Sequence, residues 1–336
     1  MRRVVPIALV LIAAAGLSTA VLLTRSPRPA DASPRSTARP AACQDQDGDG
    51  FGLGCARGPD CNDLDSAVHP GQAETCNFRD DDCNALVDDV PGCPQAPLNP
   101  SPVRVPAGAF TMGSPQGHGA IDEQPEHAVH VGAFRIDRYE VTNRRYQQCV
   151  QRSSCELPGM LSSHLRSDYF ENPRYADYPV VFVTWKQADS YCKWAGGRLP
   201  TEPEWEKAAK GTGSEPRTFP WGNEAPDCSR ANMGGPGSCV GDTDRVGLRV
   251  EGRSPYGAMD MAGNVWEWVS DWYDPAYYAS APSRDTAGPA AGSLKVMRGG
   301  CWESGADSLR VSCRKAELPA TWAYNIGFRC AYPEGR

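Results

Sequence analysis

The fourteen cysteines of this 336-residue chain constrain its fold more than any other feature of the sequence. Six lie within residues 43–93, and the other eight lie between Cys149 and Cys330. An even number of cysteines beside 34 glycines and 30 prolines is typical of an irregular backbone held by disulfide bonds. Disulfides persist in oxidising compartments, so we expect a secreted, periplasmic or membrane-anchored, and in every case extracytoplasmic, protein. The alternative is a cytosolic enzyme with reduced core cysteines.

The N-terminal 42 residues predict export. Arg2 and Arg3 precede an uncharged, mostly apolar run from Val4 to Leu23, the pattern of a secretory signal. The run is also long enough to span a bilayer, so residues 1–24 are assigned to a signal peptide or an N-terminal membrane anchor. Membrane contact is expected through this segment alone. Residues 25–42, rich in Pro, Ser, Ala and Arg, predict an extended linker.

The charge of the chain is distributed unevenly. The formal net charge is −7, with +5 on residues 1–42, −10 on residues 43–93 and about −2 on the remainder. No segment supplies the basic face that phosphate backbones require, so the sequence excludes a nucleic-acid partner.

Residues 43–93 predict a small module stabilised by disulfides and calcium. The block has few large apolar residues, and its charge of −10 is self-repulsive unless cations neutralise it. Alternate carboxylates around glycines converge on one hard cation, as in the first half of an EF-hand loop. The block resembles a metal-binding motif of secreted bacterial proteins and, more loosely, thrombospondin type 3 calcium repeats. The candidate ligands are Asp45, Asp47, Asp49, Asp60, Asp63 and Asp65.

Two questions about this module stay open at the sequence level. The six cysteines allow fifteen pairings, and the sequence does not choose among them. A solvated acidic spacer that binds nothing is the alternative to a calcium site. Zinc is disfavoured because paired CxxC motifs are absent and His69 is the nearby histidine.

After a second linker at residues 94–102, residues 103–333 form one continuous segment. Alternating apolar and polar residues predict strands in "VRVPAGAFTMGS" and "HAVHVGAFRIDRYEVT". Helices are expected to begin near Thr142 and Thr184, and Thr201 with Glu204 forms a capping box whose helix ends at Gly211. Regular periodicity is then lost for almost fifty residues, which predicts that metals or disulfides hold this stretch.

Motifs along this segment carry a family resemblance. They are "PAGAFTMGS", "IDRYEVTN", "PVVFVTWKQADSYCKWAGGRLPTEPEWEKAAKG", "FPWGN", "YGAMDMAGNVWEWVSDWY", "VMRGGCW" and "NIGFRCA", in that order. Val103–Pro333 resembles the formylglycine-generating enzyme, or sulfatase-modifying factor, family. The resemblance implies an α+β fold, a low-regularity variant of the C-type lectin fold, held by calcium and disulfides. Catalytic members oxidise a substrate cysteine with copper(I) bound by two cysteines.

The resemblance also implies metal ligands and one disulfide. Calcium would be held by the side chains of Asp260 and Glu267 and the carbonyls of Gly263 and Val265. A second calcium would use Asn232 and the Met233 carbonyl, with Asp242 as the carboxylate. The family disulfide matches Cys192–Cys330. The same pattern makes Trp302 a groove-side aromatic residue and places bracing guanidinium groups at Arg298, Arg310, Arg314 and Arg329.

Three further cysteine pairs follow from the residues. Cys149–Cys155 and Cys228–Cys239 are close in sequence and are predicted to form local disulfides. Cys301 and Cys313 then remain in the large segment. They are predicted to form a fourth disulfide there, and the alternative is a displaced redox or copper pair.

The copper-binding cysteines of the family are missing. Counted from Arg298-Gly299-Gly300, their positions hold Ser304 and Leu309, which cannot supply the thiolates that copper(I) prefers. We therefore expect a non-catalytic, extracytoplasmic binding module for a peptide, protein or glycan. The alternative is an oxygen-dependent oxidoreductase using Cys301 and Cys313, with copper as an added cofactor, so the sequence leaves enzymatic activity open.

Overall fold

The computed structural model describes residues 43–60, 65–75, 81–83, 102–213, 217–235, 238–284 and 287–334. Two compact units are distinguished, Met1–Ala41 and Ala42–Arg336, and only the second contains described residues. The export segment, the linker at 25–42 and Asp63 lie outside the described residues, and the boundaries of the predicted domains stay predictions. None of the described helices is long and apolar enough to cross a membrane.

Three α-helices form where the sequence supplies capping residues. Helix α1 spans Asn143–Gln151, α2 spans Trp185–Trp194 and α3 spans Glu202–Lys210. The side-chain oxygens of Thr142, Thr184 and Thr201 accept the N3 backbone N–H of their helices, which satisfies a donor that the first turn leaves unpaired. The predicted helix starts, including the capping box of α3, are confirmed.

Nine strands form three small sheets across the described residues. Antiparallel pairing joins β1, β4 and β9 in one sheet and β2 with β3 in a second. The third sheet has the order β7-β6-β5-β8, and its β5–β8 pair is parallel. The strands are β1 Val103–Val105, β2 Gly108–Met112, β3 His127–Val131, β4 Phe134–Ile136, β5 Trp266–Trp272, β6 Lys295–Arg298, β7 Lys315–Glu317, β8 Ile326–Phe328 and β9 Ala331–Pro333.

The predicted irregular stretch after α3 is also confirmed. Between Gly211 and β5, the described residues contain a single 3-10 turn at Val250–Gly252, one isolated bridge between Phe219 and Gly222, and otherwise irregular backbone. Short strands, three helices and long irregular connections give an α+β fold, as predicted.

Helix α3 lies inside the molecule, and polar partners make its burial tolerable. Trp205 and Lys207 are fully buried. The Lys207 ammonium donates to the carbonyls of Pro106, Gly108 and Val131, so its charge is surrounded by acceptors. This helix connects the β2–β3 hairpin to the sheet that carries the candidate functional site.

Candidate functional site

The candidate catalytic loop follows β6. Gly299 and Gly300 adopt φ of 93° and 75°, and a Cβ on Gly300 would lie 2.8 Å from the Ser308 carbonyl oxygen. Glycine is required at this turn because other residues rarely adopt this conformation and have no room here. After the turn, the Cys301 N–H donates to Ser304 Oγ at 2.9 Å, and the Ser304 N–H donates back to the Cys301 carbonyl at 2.8 Å. These two hydrogen bonds fix the loop.

The two family copper positions hold side chains with structural roles. Ser304 is buried and uses its hydroxyl as the acceptor for the Cys301 N–H. Leu309 is fully buried in an apolar cluster with Phe219, Ala231 and Ala262. A hydroxyl and an aliphatic side chain offer no soft ligand, so these residues do not fit copper(I).

The predicted disulfide between Cys301 and Cys313 is wrong. Both are free thiols, and they are the described cysteines without a disulfide. The two thiols lie among different neighbours. Cys301 Sγ lies 3.5 Å from Ser304 Oγ and accepts from the Asn325 amide at 3.7 Å. The charges that act on Cys313 are Glu123, Arg298, Arg310 and Asp122.

Burial also makes these thiols poor metal ligands and nucleophiles. Desolvation raises the pKa of Cys301, and it raises the pKa of Cys313 to about 11. Because the thiolate is the reactive and ligating form, both side chains stay protonated at neutral pH. At this loop the glycine turn and its hydrogen bonds are formed, and Ser304 and Leu309 offer no thiolate.

The remaining predicted disulfides of the large segment are confirmed. Cys192–Cys330 joins α2 to the residue before β9. Cys149–Cys155 and Cys228–Cys239 close short loops. In the N-terminal module, Cys43 pairs with Cys55. These bonds indicate an oxidising, extracytoplasmic compartment.

An aromatic face lies beside the candidate loop. We use this name for His164, Phe182, Trp302, Trp322 and Tyr324. The His164 ring lies 5.0 Å from the rings of both Trp302 and Tyr324, and Phe182 lies 5.7 Å from Trp322. Trp322 is 44% exposed, whereas Trp302 is buried and its indole N–H has no hydrogen-bond partner. An aromatic cluster with His164 and Trp322 exposed offers apolar surface of the kind that recognises a partner.

Polar contacts hold this face in place. Glu303 accepts the Tyr324 hydroxyl at 3.3 Å and the Asn325 amide at 3.0 Å. A Cβ on Gly159 would lie 2.7 Å from the Trp322 ring, so glycine lets the ring lie flat on the backbone. The resemblance identified Trp302, but nothing local in the sequence indicated His164, Phe182 or Trp322.

The first predicted calcium site contains an excess of buried carboxylates. The charges of Asp260 and Glu267 add to burial in raising the pKa of Glu140, the charge of Glu267 also raises the pKa of Asp260, and Arg329 is the buried cation among them. Burial raises the pKa of Asp260 to about 6 and the pKa of Glu140 well above its ordinary value. Glu140 Oε2 is buried without a hydrogen-bond partner. An uncompensated cluster of this kind fits a divalent cation with oxygen ligands.

Glu267 already has partners in this cluster. Its carboxylate accepts two hydrogen bonds from Arg329, both at 2.7 Å, and one from the Trp205 indole at 2.8 Å. Asp260 Oδ2 accepts the Gly247 N–H at 2.6 Å. Gly263 adopts φ of 87° with the Asn232 carbonyl oxygen 2.3 Å from where a Cβ would be, so glycine is required there. Ligation by Asp260, Glu267 and the carbonyls of Gly263 and Val265 stays a prediction.

Of the side chains predicted for the second calcium site, that of Asn232 fits a cation ligand and that of Asp242 does not. Asn232 Oδ1 is buried without a hydrogen-bond partner, as expected for an oxygen that would ligate a cation. Asp242 does not fit, because its carboxylate accepts from Ser163, Leu165 and Thr243 and pairs with Arg166 at 3.0 Å. Ligation by the Met233 carbonyl stays a prediction.

The acidic loop of the N-terminal module brings three predicted ligands together. Oxygens of Asp45, Asp47 and Asp49 all lie within 4.8 Å of one another. Asp45 accepts the N–H groups of Gly48 and Gly50, whereas Asp47 Oδ2 and Asp49 Oδ2 are buried without partners. These carboxylates fit one hard cation. Asp60 and Asp65 are not part of this group, and Asp63 lies outside the described residues.

The bracing role predicted for the arginines is confirmed. Arg298 is fully buried and pairs with Glu206 at 2.5 Å and Glu202 at 3.3 Å. Arg314 binds Glu202, and Arg310 pairs with Glu123. These ion pairs tie the ends of the candidate loop to α3 and to the segment before β3.

Comparison with known proteins agrees with this architecture. Residues 89–333 match the model of the "Sulfatase-modifying factor enzyme 1-like domain", and residues 60–89 match one described as "Putative metal-binding motif". The first match covers most of the chain. The chain therefore belongs to the sulfatase-modifying factor family.

Relatives in this family carry different names. The formylglycine-generating enzyme of Streptomyces coelicolor is 33% identical over 283 aligned positions, covering 68% of this chain and 88% of that protein. The serine/threonine-protein kinase pkn1 of Chlamydia caviae is 36% identical, and the match covers 70% of this chain but 38% of that protein. The solved structure of PvdO from Pseudomonas aeruginosa matches with a TM-score of 0.58 and 28% identity, over 68% of this chain and 93% of PvdO. Family membership alone thus does not fix activity.

Proposed function

We propose that this protein is an exported, calcium-stabilised binding module that has lost formylglycine generation. The observation that carries the proposal is the candidate loop, where Leu309 fills an apolar cluster and Ser304 accepts a backbone N–H. The loop keeps its fold through its glycines and hydrogen bonds. A family member that retains the frame without the ligands for copper(I) is suited to binding rather than oxidation.

The aromatic face is the surface proposed to bind. Its Trp322 ring is exposed, and the indole N–H of Trp302 lies buried and without a hydrogen-bond partner next to the candidate loop. Aromatic rings give apolar contact and a hydrogen-bond handle at low entropic cost. A C-type-lectin-like frame, implied by the family resemblance, would present this face to an extracellular peptide, protein or glycan.

Two measurements on the full chain test this function. Oxygen consumption with a cysteine-containing peptide and copper(I) should equal the rate without protein. A random peptide display library and a glycan array should yield ligands whose binding Trp322→Ala abolishes. Ile121→Ala is the matched control, because Ile121 is an exposed apolar residue outside the aromatic face. Ligands that bind the Trp322→Ala variant unchanged would contradict the assignment of the face.

One observation favours a second candidate, an oxygen-dependent oxidoreductase. Cys301 and Cys313 are free in a protein whose other described cysteines are paired, and a relative named formylglycine-generating enzyme covers most of the chain. Protein-dependent oxygen consumption that Cys301→Ser removes would establish this function and exclude the non-catalytic one. Cys149→Ser with Cys155→Ser serves as the control for cysteine removal.

A further inference from the structure

A pocket whose lining contains no residue of the candidate loop or of the aromatic face has no assigned role. Its volume is about 500 Å³, within the ~300–1,000 Å³ range of small-molecule sites. It opens between the "FPWGN" segment and the 3-10 turn at Val250–Gly252. We call it the Trp221 pocket. Its lining includes Arg217, Trp221, Glu224, Arg230, Glu251 and Arg253.

The walls of this pocket are built from tightly packed backbone. A Cβ on Gly252 would lie 1.9 Å from the Arg230 carbonyl oxygen, so only glycine lets the turn approach this closely. On the other side, Trp221 stacks on Phe219 with 5.2 Å between ring centroids, and its indole N–H donates to the Glu224 carbonyl at 3.0 Å. Phe219 is anchored in the cluster of Leu309. The indole is thus held in place.

The charges of the pocket are only partly compensated. Arg230 is neutralised by Glu224 at 2.5 Å and Asp227 at 3.0 Å. Arg217 and Arg253 make no ion pair with any described carboxylate. Two guanidinium groups therefore remain for a ligand anion, and guanidinium forks match carboxylates in geometry.

The pocket offers acceptors as well as donors. The Glu224 and Glu251 carboxylates line it beside the aromatic ring. The hydroxyl groups of a sugar can donate hydrogen bonds to these carboxylates, and the apolar face of a sugar ring can pack on the indole. A sugar acid also carries a carboxylate, which the arginines can bind. A strongly acidic peptide would instead meet two like charges on the same walls.

From these contacts we infer that the Trp221 pocket binds an acidic saccharide, with Arg217 and Arg253 holding its carboxylate. The inference goes beyond the proposed function, because it concerns a different surface with its own ligand class.

The experiment titrates the full chain with glucuronate by saturation-transfer NMR and calorimetry. Binding is expected, and Arg217→Ala and Arg253→Ala should each weaken it at least tenfold. The matched control is Arg174→Ala, because Arg174 is an exposed arginine outside the pocket and should leave binding unchanged. Added salt should weaken binding, since the contact is an exposed ion pair.

Three results would overturn the inference. Equal binding of glucose would remove the role of the carboxylate, and equal binding by the two arginine variants would place glucuronate elsewhere. Binding of N-acetylglutamate with none of glucuronate would exclude a saccharide. Trp322 belongs to the aromatic face, so Trp322→Ala should not change glucuronate binding. A failure of the saccharide inference can therefore be distinguished from a failure of the proposed function.

Discussion

Glu267 and Arg329 form a doubly hydrogen-bonded ion pair, and both side chains are fully buried. Glu267 is the carboxylate that accepts the hydrogen bonds of the Arg329 guanidinium, and breaking a buried pair of this kind typically costs about 3–5 kcal/mol. Glu267→Gln keeps the shape and removes the charge. It should therefore lower the unfolding free energy by about that amount in urea denaturation.

The control for this variant is an exposed pair. Glu334→Gln breaks the contact with Arg104, in which both partners are largely exposed, and such pairs are worth about 0–1 kcal/mol. Similar losses in the two variants would contradict a dominant role for the buried pair.

Asp271 is a buried carboxylate whose titration should be visible in stability. Burial and the nearby Glu202 raise its pKa to about 7, and its Oδ1 has no hydrogen-bond partner. Between its unfolded pKa of about 3.9 and pH 7, the unfolded chain is ionised while the folded chain holds the proton. Stability from this group is thus full below pH 4 and falls as pH rises, by up to about 1.4 kcal/mol per pH unit.

Asp271→Asn should remove this loss, because the amide stays neutral while its carbonyl oxygen can still accept from the Glu202 N–H. The difference in unfolding free energy between variant and parent should grow in favour of the variant from pH 4 to pH 7. Parallel pH profiles for the two proteins would show that Asp271 is ionised in the fold.

At the scale of elements, the disulfides differ mainly in the length of chain they close. Cys192–Cys330 spans 138 residues and Cys149–Cys155 spans 6. On the loop-entropy model, the long closure contributes about 5 kcal/mol and the short one about 2 kcal/mol. The double alanine variant of the long bridge should therefore have the lower melting temperature. Equal melting temperatures would indicate that strain or residual structure, rather than chain entropy, sets their contributions.

The elements also show what a sequence can and cannot predict. Helix starts follow from short-range signals, so Thr142, Thr184 and Thr201 were identified correctly. The pairing of β4 with β9 joins residues about two hundred positions apart, and no local pattern encodes it. Counting cysteines in pairs failed at Cys301 and Cys313, because parity assumes that every thiol is oxidised.

The site follows the same division. Ser304 and Leu309 could be located by counting from a motif. The hydrogen bonds that Glu267, a predicted calcium ligand, accepts from Arg329 could not be predicted in this way. Its partner Arg329 lies 62 residues away. Glu140 lies in the "IDRYEVTN" motif, and this motif is the one sequence feature that could have drawn attention to it. Its place in the carboxylate cluster depends on Asp260 and Glu267, which are close to it only in the folded chain.

At the scale of the whole molecule, calcium should decide how stable the large segment is. Glu140, Asp260 and Glu267 together exceed the charge of Arg329, and burial disfavours the ionised forms of Glu140 and Asp260. A bound divalent cation would reverse that penalty and add the linkage term of a ligand that binds only the folded state. Chelation should therefore lower the melting temperature measurably at pH 7.

Glu140→Gln separates this explanation from simple loss of a carboxylate. Without calcium, the variant replaces a carboxyl group whose ionised form burial disfavours by a neutral amide, and it should melt at the same temperature as the parent or higher, because Glu140 Oε2 has no partner to lose. With calcium, it should bind the ion more weakly and gain less stability than the parent. Thermal melts of both proteins in calcium and in chelator measure the two effects together. If calcium stabilises the variant as much as the parent, Glu140 is not a ligand, and the cation is held elsewhere, with the acidic loop around Asp47 and Asp49 as the next candidate.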